Sequence, residues 1–260
     1  MPRPFEVGDG VLLIDAKRRR HLVTLVAGAQ FHSHAGVLDH DALIGSDEGI
    51  TVRTKLGARL VALRPTLAEF ILKMPRGAQV IYPKDLGPIL VLADVFPGAR
   101  VLESGVGSGA LTATLLRAVG SGGHVHGYEL REDFAARART NVETFLGADQ
   151  PLSVEVRDVY EGIDVDDLDR VLLDLPEPWR VVDHATKALR PGGILLSYLP
   201  TIGQVARLHE ELAASRFGMA ETVEILQRGW HVDGQSVRPD HRMVAHTGFL
   251  THARLLAASE

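Results

Sequence analysis

A run of glycines sits where a strand gives way to a helix: Val101-Leu102-Glu103-Ser104-Gly105-Val106-Gly107-Ser108-Gly109-Ala110-Leu111-Thr112. Glycine at such a turn lets the backbone bend sharply and lets a ligand approach with no Cβ in the way. The first turn of the following helix adds N–H donors that have no partner inside the helix. The spacing Gly105-x-Gly107-x-x-Ala110 also fits a dinucleotide fingerprint, so the loop alone leaves the ligand open.

Carboxylates narrow the choice. Glu103 stands at the strand end, two residues before Gly105. It would repel a pyrophosphate and attract a cationic amino-acid group. Glu129 closes the run His126-Gly127-Tyr128-Glu129, the usual place for a carboxylate that accepts hydrogen bonds from a ribose. Asp158, in Arg157-Asp158-Val159, is placed to accept from an adenine amino group while Val159 offers its N–H to the ring. A plain loop cap accounts for Asp158 equally well. Asp174 follows the next strand and opens a stiff loop, Asp174-Leu175-Pro176-Glu177-Pro178-Trp179, where it is expected to face a methyl group. An acidic rim of Glu103, Glu129, Asp158 and Asp174 suits a sulfonium donor, positively charged and free of phosphate. It favours S-adenosylmethionine (SAM) over NAD as the cofactor.

The elements that must hold these groups have two textures. Over residues 10–64 short β-rich runs (11–14, 21–26, 50–53 and 60–63) are punctuated by glycine and aspartate, which predicts a small sheet or barrel. Residues 66–74 read as a short linking helix. From about residue 84, strands at 100–103, 124–128, 152–156, 171–173 and 194–199 alternate with helices at 110–119, 131–146, 179–189 and 202–215. That alternation predicts an α/β architecture with a mainly parallel sheet. Two further β-like runs, 220–230 and 243–255, are separated by Asp233-Gly234-Gln235-Ser236 and are expected to pair as a C-terminal antiparallel hairpin at the sheet edge. The expected domains are a small β-rich N-terminal domain (1–65), a linker helix with a substrate and cofactor loop (66–83), and a catalytic domain (84–260).

Composition sets the remaining bounds. Of 260 residues, 45% are hydrophobic and 23% charged, which excludes wholesale disorder. There is no cysteine, so thiolate nucleophiles and disulfides are out, and a cytoplasmic setting is the expectation. No apolar run reaches the length of a membrane span, and the first ten residues lack a signal-peptide core. His32 and His34 alternate along one predicted strand and His246 lies far away. No third ligand has useful spacing, so no metal site is expected. Residues 1–90 carry 12 Lys and Arg against 9 Asp and Glu, whereas residues 91–260 carry 16 against 24. An RNA contact would therefore fall on the N-terminal part, through the group Lys17, Arg18, Arg19, Arg20, Arg53, Lys55, Arg59 and Arg64.

The chain resembles the TrmI family of tRNA (adenine-N1)-methyltransferases, which act on adenosine 58 of the T-loop. The resemblance spans nearly the whole sequence. It rests on Phe31-His32-Ser33-His34-Ala35-Gly36-Val37, Tyr82-Pro83-Lys84-Asp85, the glycine loop, the Asp174–Trp179 loop, Leu199-Pro200 and His246-Thr247-Gly248-Phe249-Leu250. Val106 stands where the family often has Thr. The resemblance implies a class I (Rossmann-like) SAM-dependent methyltransferase fold with a small N-terminal β domain, assembled as a homotetramer, with tRNA as partner. Carried over by position, Asp174 lines the target-adenine pocket and Tyr82 lies near cofactor and substrate. Ser108, Gly109, Ala110, Leu111, Glu129 and Asp158 would hold SAM, with Phe134 a weaker candidate. N1 of adenine would attack the methyl group directly, and Asp174 would accept from the exocyclic amino group as the ring gains charge. The alternatives are a SAM-dependent methyltransferase of another RNA position or of a protein carboxylate, an NAD-dependent oxidoreductase, and a non-catalytic RNA-binding module.

Overall fold

The computed structural model describes residues 3–77 and 79–258. The chain divides into two compact units, residues 1–75 with 141–148, and residues 76–140 with 149–260.

The first unit is antiparallel. Strands β1 (Gly10–Asp15), β2 (Arg20–Thr24), β3 (Gln30–Ser33), β4 (Gly36–Asp39), β5 (Thr51–Arg53) and β6 (Arg59–Leu63) precede helix α1 (Leu67–Lys73). Four of them form a sheet in the order β2-β1-β6-β5, and β3 pairs with β4 as a separate hairpin. Phe5, Val11, Leu13, Leu25, Leu38 and Leu60 lie in its core. Beyond the strand assumed for His32 and His34, the β-rich runs read from the sequence leave out β3 and β4, which are only four residues long each. His34 lies in the turn of that hairpin rather than on the strand with His32, so the two histidines do not alternate along one strand. Helix α1 starts where Thr66 accepts from the Glu69 N–H and Glu69 reaches back to the Thr66 N–H.

The second unit begins with α2 (Pro83–Leu92) and continues through β7 (Arg100–Ser104), α3 (Ala110–Val119), β8 (His124–Glu129), α4 (Glu132–Leu146, of which residues 141–146 count with the first unit) and β9 (Leu152–Val156). Then come β10 (Leu168–Leu173), α5 (Val182–Ala188), β11 (Leu189–Leu199), α6 (Ile202–Ala213), β12 (Phe217–Glu224), β13 (Trp230–Asp233), β14 (Ser236–Pro239) and β15 (Phe249–Leu255). Seven strands form one sheet in the order β12-β15-β11-β10-β7-β8-β9. The pairs among β7 to β11 are parallel, and β15 runs antiparallel to both β11 and β12. From β7 the chain steps outward to β8 and β9, then returns to the other flank of β7 as β10. Between β7 and β10 the winding reverses, and a crevice opens at the carboxyl ends of those strands. Glu103 and Asp174 stand at those two ends.

Three expectations are corrected. Residues 83–92 form a helix that sequence reading missed, because Gly87-Pro88 looks like a breaker while Pro83 suits a first helical position. The tail strands pair antiparallel at the sheet edge as expected, with β12 outermost and β15 between it and β11. Asp233-Gly234-Gln235-Ser236 does not join them: it turns the separate β13–β14 hairpin, with Gly234 at φ 54°. Residues 178–181 are a 3-10 turn, so α5 is shorter than the predicted helix. Among the described residues no helix is long and apolar enough to cross a membrane.

Candidate active site

The four acidic residues picked from the sequence all stand at carboxyl ends of parallel strands. Glu103 is the most buried of them, at 1% exposure. Among the described residues, neither of its carboxylate oxygens has a partner within hydrogen-bond distance, and nor does the hydroxyl of nearby Thr112. Burial pushes its pKa up to about 8, reinforced by the charges of Asp174 and Glu129. An ionisable group left without a partner inside a protein is costly unless something arrives to meet it.

The loop after β7 is bent by glycines in the left-handed region, Gly105 at φ 88°, Gly107 at φ 56° and Gly109 at φ 85°. Gly105 packs directly on the next strand end: a Cβ there would lie 2.2 Å from the Asp174 carbonyl oxygen. The Asp174 N–H donates to the Ser104 carbonyl at 2.9 Å. Glycine loop and aspartate are therefore locked together. Gly109 caps α3, against the backbone of Ala138, and Ser108, Ala110 and Leu111 are buried at its start. Glu129, expected to accept from a ribose, accepts from the Gly107 N–H at 2.9 Å and from the Arg131 N–H at 3.1 Å and so stiffens the glycine loop.

Asp158 accepts from the Tyr160 N–H at 2.9 Å and begins the short 3-10 turn whose first residue is the buried Val159. The loop-cap reading of Asp158 is thus realised, with its second oxygen unengaged by that bond. Phe134 is buried, with the Arg131 guanidinium 4.0 Å over its ring and that of Arg137 at 5.6 Å.

Asp174 lines a cavity of about 460 Å³ together with Tyr82, Tyr198, Pro200, His246 and Thr247. Burial and the Glu129 charge push its pKa up to about 7. Tyr82 caps the N-terminus of α2. Behind it, the Lys84 ammonium donates to Asp85 at 2.7 Å and to the Ile225 carbonyl at 2.6 Å, and the Thr247 hydroxyl donates to the other Asp85 oxygen at 2.7 Å. Tyr198 is pushed up to about 12 by burial, so its hydroxyl remains a proton donor at any working pH. Gly248 lies flat on its ring, where a Cβ would come within 2.5 Å of Cζ. His246 has oxygen acceptors at both ring nitrogens, Glu224 at 2.7 Å and the Pro200 carbonyl at 2.8 Å. Two acceptors call for two protons, and the Glu224 bond raises the imidazole pKa accordingly.

Sequence reading missed Tyr198, Pro200 and Thr247 as cavity wall and weighed His246 as a metal ligand, a packing group or an RNA contact. Tyr198 had a usable signal: it ends the strand next to β10, on the crevice side of the sheet. The stiff loop after Asp174 is held from outside the cavity. Gln204 donates to the Pro176 carbonyl at 2.9 Å, Glu177 pairs with Arg180 at 3.0 Å, and Trp179 packs on the core.

A cradle of left-handed glycines, a partnerless buried carboxylate beside it and a cavity with an aspartate and two tyrosines fit a cationic donor facing a planar acceptor. Comparisons with known proteins agree. The family "tRNA methyltransferase complex GCD14 subunit" matches residues 59–238, and "TrmI-like N-terminal" matches residues 4–52. The tRNA (adenine(58)-N(1))-methyltransferase TrmI of Thermus thermophilus is 40% identical over 96% of this chain and 98% of its own. A crystal structure of a SAM-dependent O-methyltransferase from Thermotoga maritima superposes with TM-score 0.94 at 36% identity, covering 99% of this chain and 97% of that one. The tRNA (m1A58) methyltransferase TrmI of Aquifex aeolicus does so with TM-score 0.84 at 32% identity, covering 98% and 100%. The chain belongs to the TrmI/GCD14 family of tRNA methyltransferases.

Proposed function

We propose that this enzyme methylates N1 of adenosine 58 in tRNA, with SAM as methyl donor. The observation that carries the reading is the position of Asp174, fixed by Gly105 at the floor of the donor crevice and lining the cavity with Tyr82 and Tyr198. SAM supplies an electrophilic methyl group when bound. Glu103 would meet its cationic amino-acid part, and Ser108 to Leu111 with Glu129 and Asp158 would hold the rest. N1 carries its own lone pair, so no general base is needed. Methylation leaves positive charge on the ring, and Asp174 supplies a fixed anion that accepts from the exocyclic amino group as that charge grows. Tyr82 and Tyr198 offer flat walls for an extruded base.

A homotetramer fits the surface. In the β13–β14 hairpin, Trp230, Val232 and Val237 share one face with Pro239 and are 59–71% exposed, while His231, Asp233, Ser236 and Arg238 take the other face. An apolar face of this kind calls for a cover, and another subunit provides one. The test of function is incubation with labelled SAM and unmodified tRNA transcript, followed by nucleoside analysis. 1-Methyladenosine at position 58 supports the reading. Methylation at another position of the RNA, or no RNA methylation, overturns it.

A further inference from the structure

Eight cations of the first unit were grouped in the sequence, and the structure divides them. Arg19 is bound to Asp15 at 2.6 Å, Arg20 faces Glu69 at 3.6 Å, Lys55 pairs with Asp39 at 2.9 Å and Arg64 with Asp9 at 3.0 Å. Among the described residues no ion pair involves Lys17, Arg18, Arg53 or Arg59. Strand register brings these four to one end of the β2-β1-β6-β5 sheet. Asp15 is opposite Leu60, so the β1–β2 turn that carries Lys17 and Arg18 abuts Arg59, and Arg59 is itself directly opposite Arg53. All four are exposed.

The arrangement costs the fold something on its own. Like charges directly opposite on an antiparallel pair are destabilising. Arg53 finds only the Gly57 carbonyl, at 3.2 Å. Arg18 sits at φ 59°, a left-handed conformation that a non-glycine residue adopts at a cost. Asp15, the acid of that end, is buried and held low by hydrogen bonds from Arg19 and Lys17, so its charge is already spent on them. What is left is a fixed positive end, in the N-terminal stretch (1–90) that carries net positive charge, on a protein that is acidic as a whole.

We propose that this sheet end grips the sugar-phosphate backbone of the RNA substrate, with Lys17, Arg18, Arg53 and Arg59 as the contacting groups. The inference rests on the tRNA reading above and goes past it by placing the phosphate contacts. A phosphate between Arg53 and Arg59 would turn their mutual repulsion into a shared attraction. These contacts position the substrate and carry no base information.

The test compares wild type with a Lys17→Gln/Arg18→Gln/Arg53→Gln/Arg59→Gln variant. Binding of unmodified tRNA transcript is measured against salt, and steady-state kinetics at about 0.15 M salt. The expected result is a loss of about three in the slope of log affinity against log salt, with KM for tRNA raised about tenfold or more. kcat and KM for SAM should stay at wild-type values. Arg53→Gln/Arg59→Gln alone should fold at least as well as wild type, which keeps the test open if the fourfold variant unfolds. An unchanged slope and KM for tRNA in a folded, active variant overturns the proposal and leaves the methyltransferase reading standing. So does an equal loss in Arg117→Gln/Lys187→Gln, two exposed cations of the other unit. Loss of binding to phosphatidylglycerol vesicles with tRNA kinetics unmoved assigns the end to a membrane surface instead. Absence of any tRNA methylation by wild type sinks the function itself.

Discussion

Lys84 and Asp85 are neighbours in sequence and form a buried ion pair, Nζ to Oδ1 at 2.7 Å, with side chains 2% and 0% exposed. Through the Ile225 carbonyl and the Thr247 hydroxyl the pair fastens both ends of the excursion between β12 and β15 beside Tyr82. Removing one partner leaves a buried charge uncompensated. Lys84→Met or Asp85→Asn should each cost about 3–5 kcal/mol in denaturant unfolding. The double variant should be markedly less damaged than the two losses added together. Additive losses would show that the two charges do not depend on each other.

Asp174→Asn keeps the shape of the side chain and removes its charge. SAM affinity should stay within a fewfold of wild type, while kcat on tRNA falls by about a hundredfold or more. Turnover close to wild type would remove Asp174 from the chemistry. Because the Asp174 carboxyl lies at about 7 and that of Glu103 at about 8 in the free protein, kcat/KM for SAM should climb through this range and level off only above about pH 8. A profile that is flat between pH 5.5 and 8 would contradict an ionised Asp174.

Glu103 links donor binding to stability. Folded, its carboxyl holds a proton up to about pH 8, whereas the unfolded carboxyl releases it near 4.5. Between these values the native state binds more protons, so stability falls as pH rises through that window. Glu103→Gln removes this dependence. Without donor, the variant should melt about 2–4 °C higher than wild type at pH 8 and no higher at pH 5. Its SAM affinity should drop by at least about tenfold. A variant that melts lower than wild type at pH 8, or binds SAM as tightly, would refute the account.

Gly105→Ala sets a methyl group against the Asp174 carbonyl at a left-handed φ. Both the donor loop and the aspartate must shift. The expected outcome is a loss of about 1–3 kcal/mol in stability together with a fall in kcat. Activity retained at wild-type level would mean that loop and strand end are not rigidly coupled. Gly107→Ala, whose Cβ would meet nothing nearer than 3.9 Å, is the matched control for backbone strain alone.

What sequence could reveal followed from locality. The glycine loop, Glu129 and Asp174 each carry their meaning within a few residues, since strand, turn and carboxylate are contiguous. Helix α3 begins and ends where its pattern says, at Ala110 and Val119. Groups assembled from distant segments gave no such signal. Thr247 meets Asp85 across 162 positions, and nothing near either residue announces the partner. Helix α2 hid behind Gly87-Pro88, because its stability comes from burying Leu86 and Ile89 rather than from propensity. Charge was the least legible feature: Arg19 and Arg64 look as available as Arg18 and Arg59 until the register supplies Asp15 and Asp9.

The place of β15 in the sheet has a consequence for biosynthesis. A nascent chain that has emerged only as far as β14 carries β11 with one flank bare and β12 with no neighbour to join. His246 and Thr247, the last pieces of the cavity wall, leave the ribosome immediately before the strand that anchors them. A chain cut short of β15 would therefore lack the strand that anchors this wall and expose unpaired strand edges that favour aggregation.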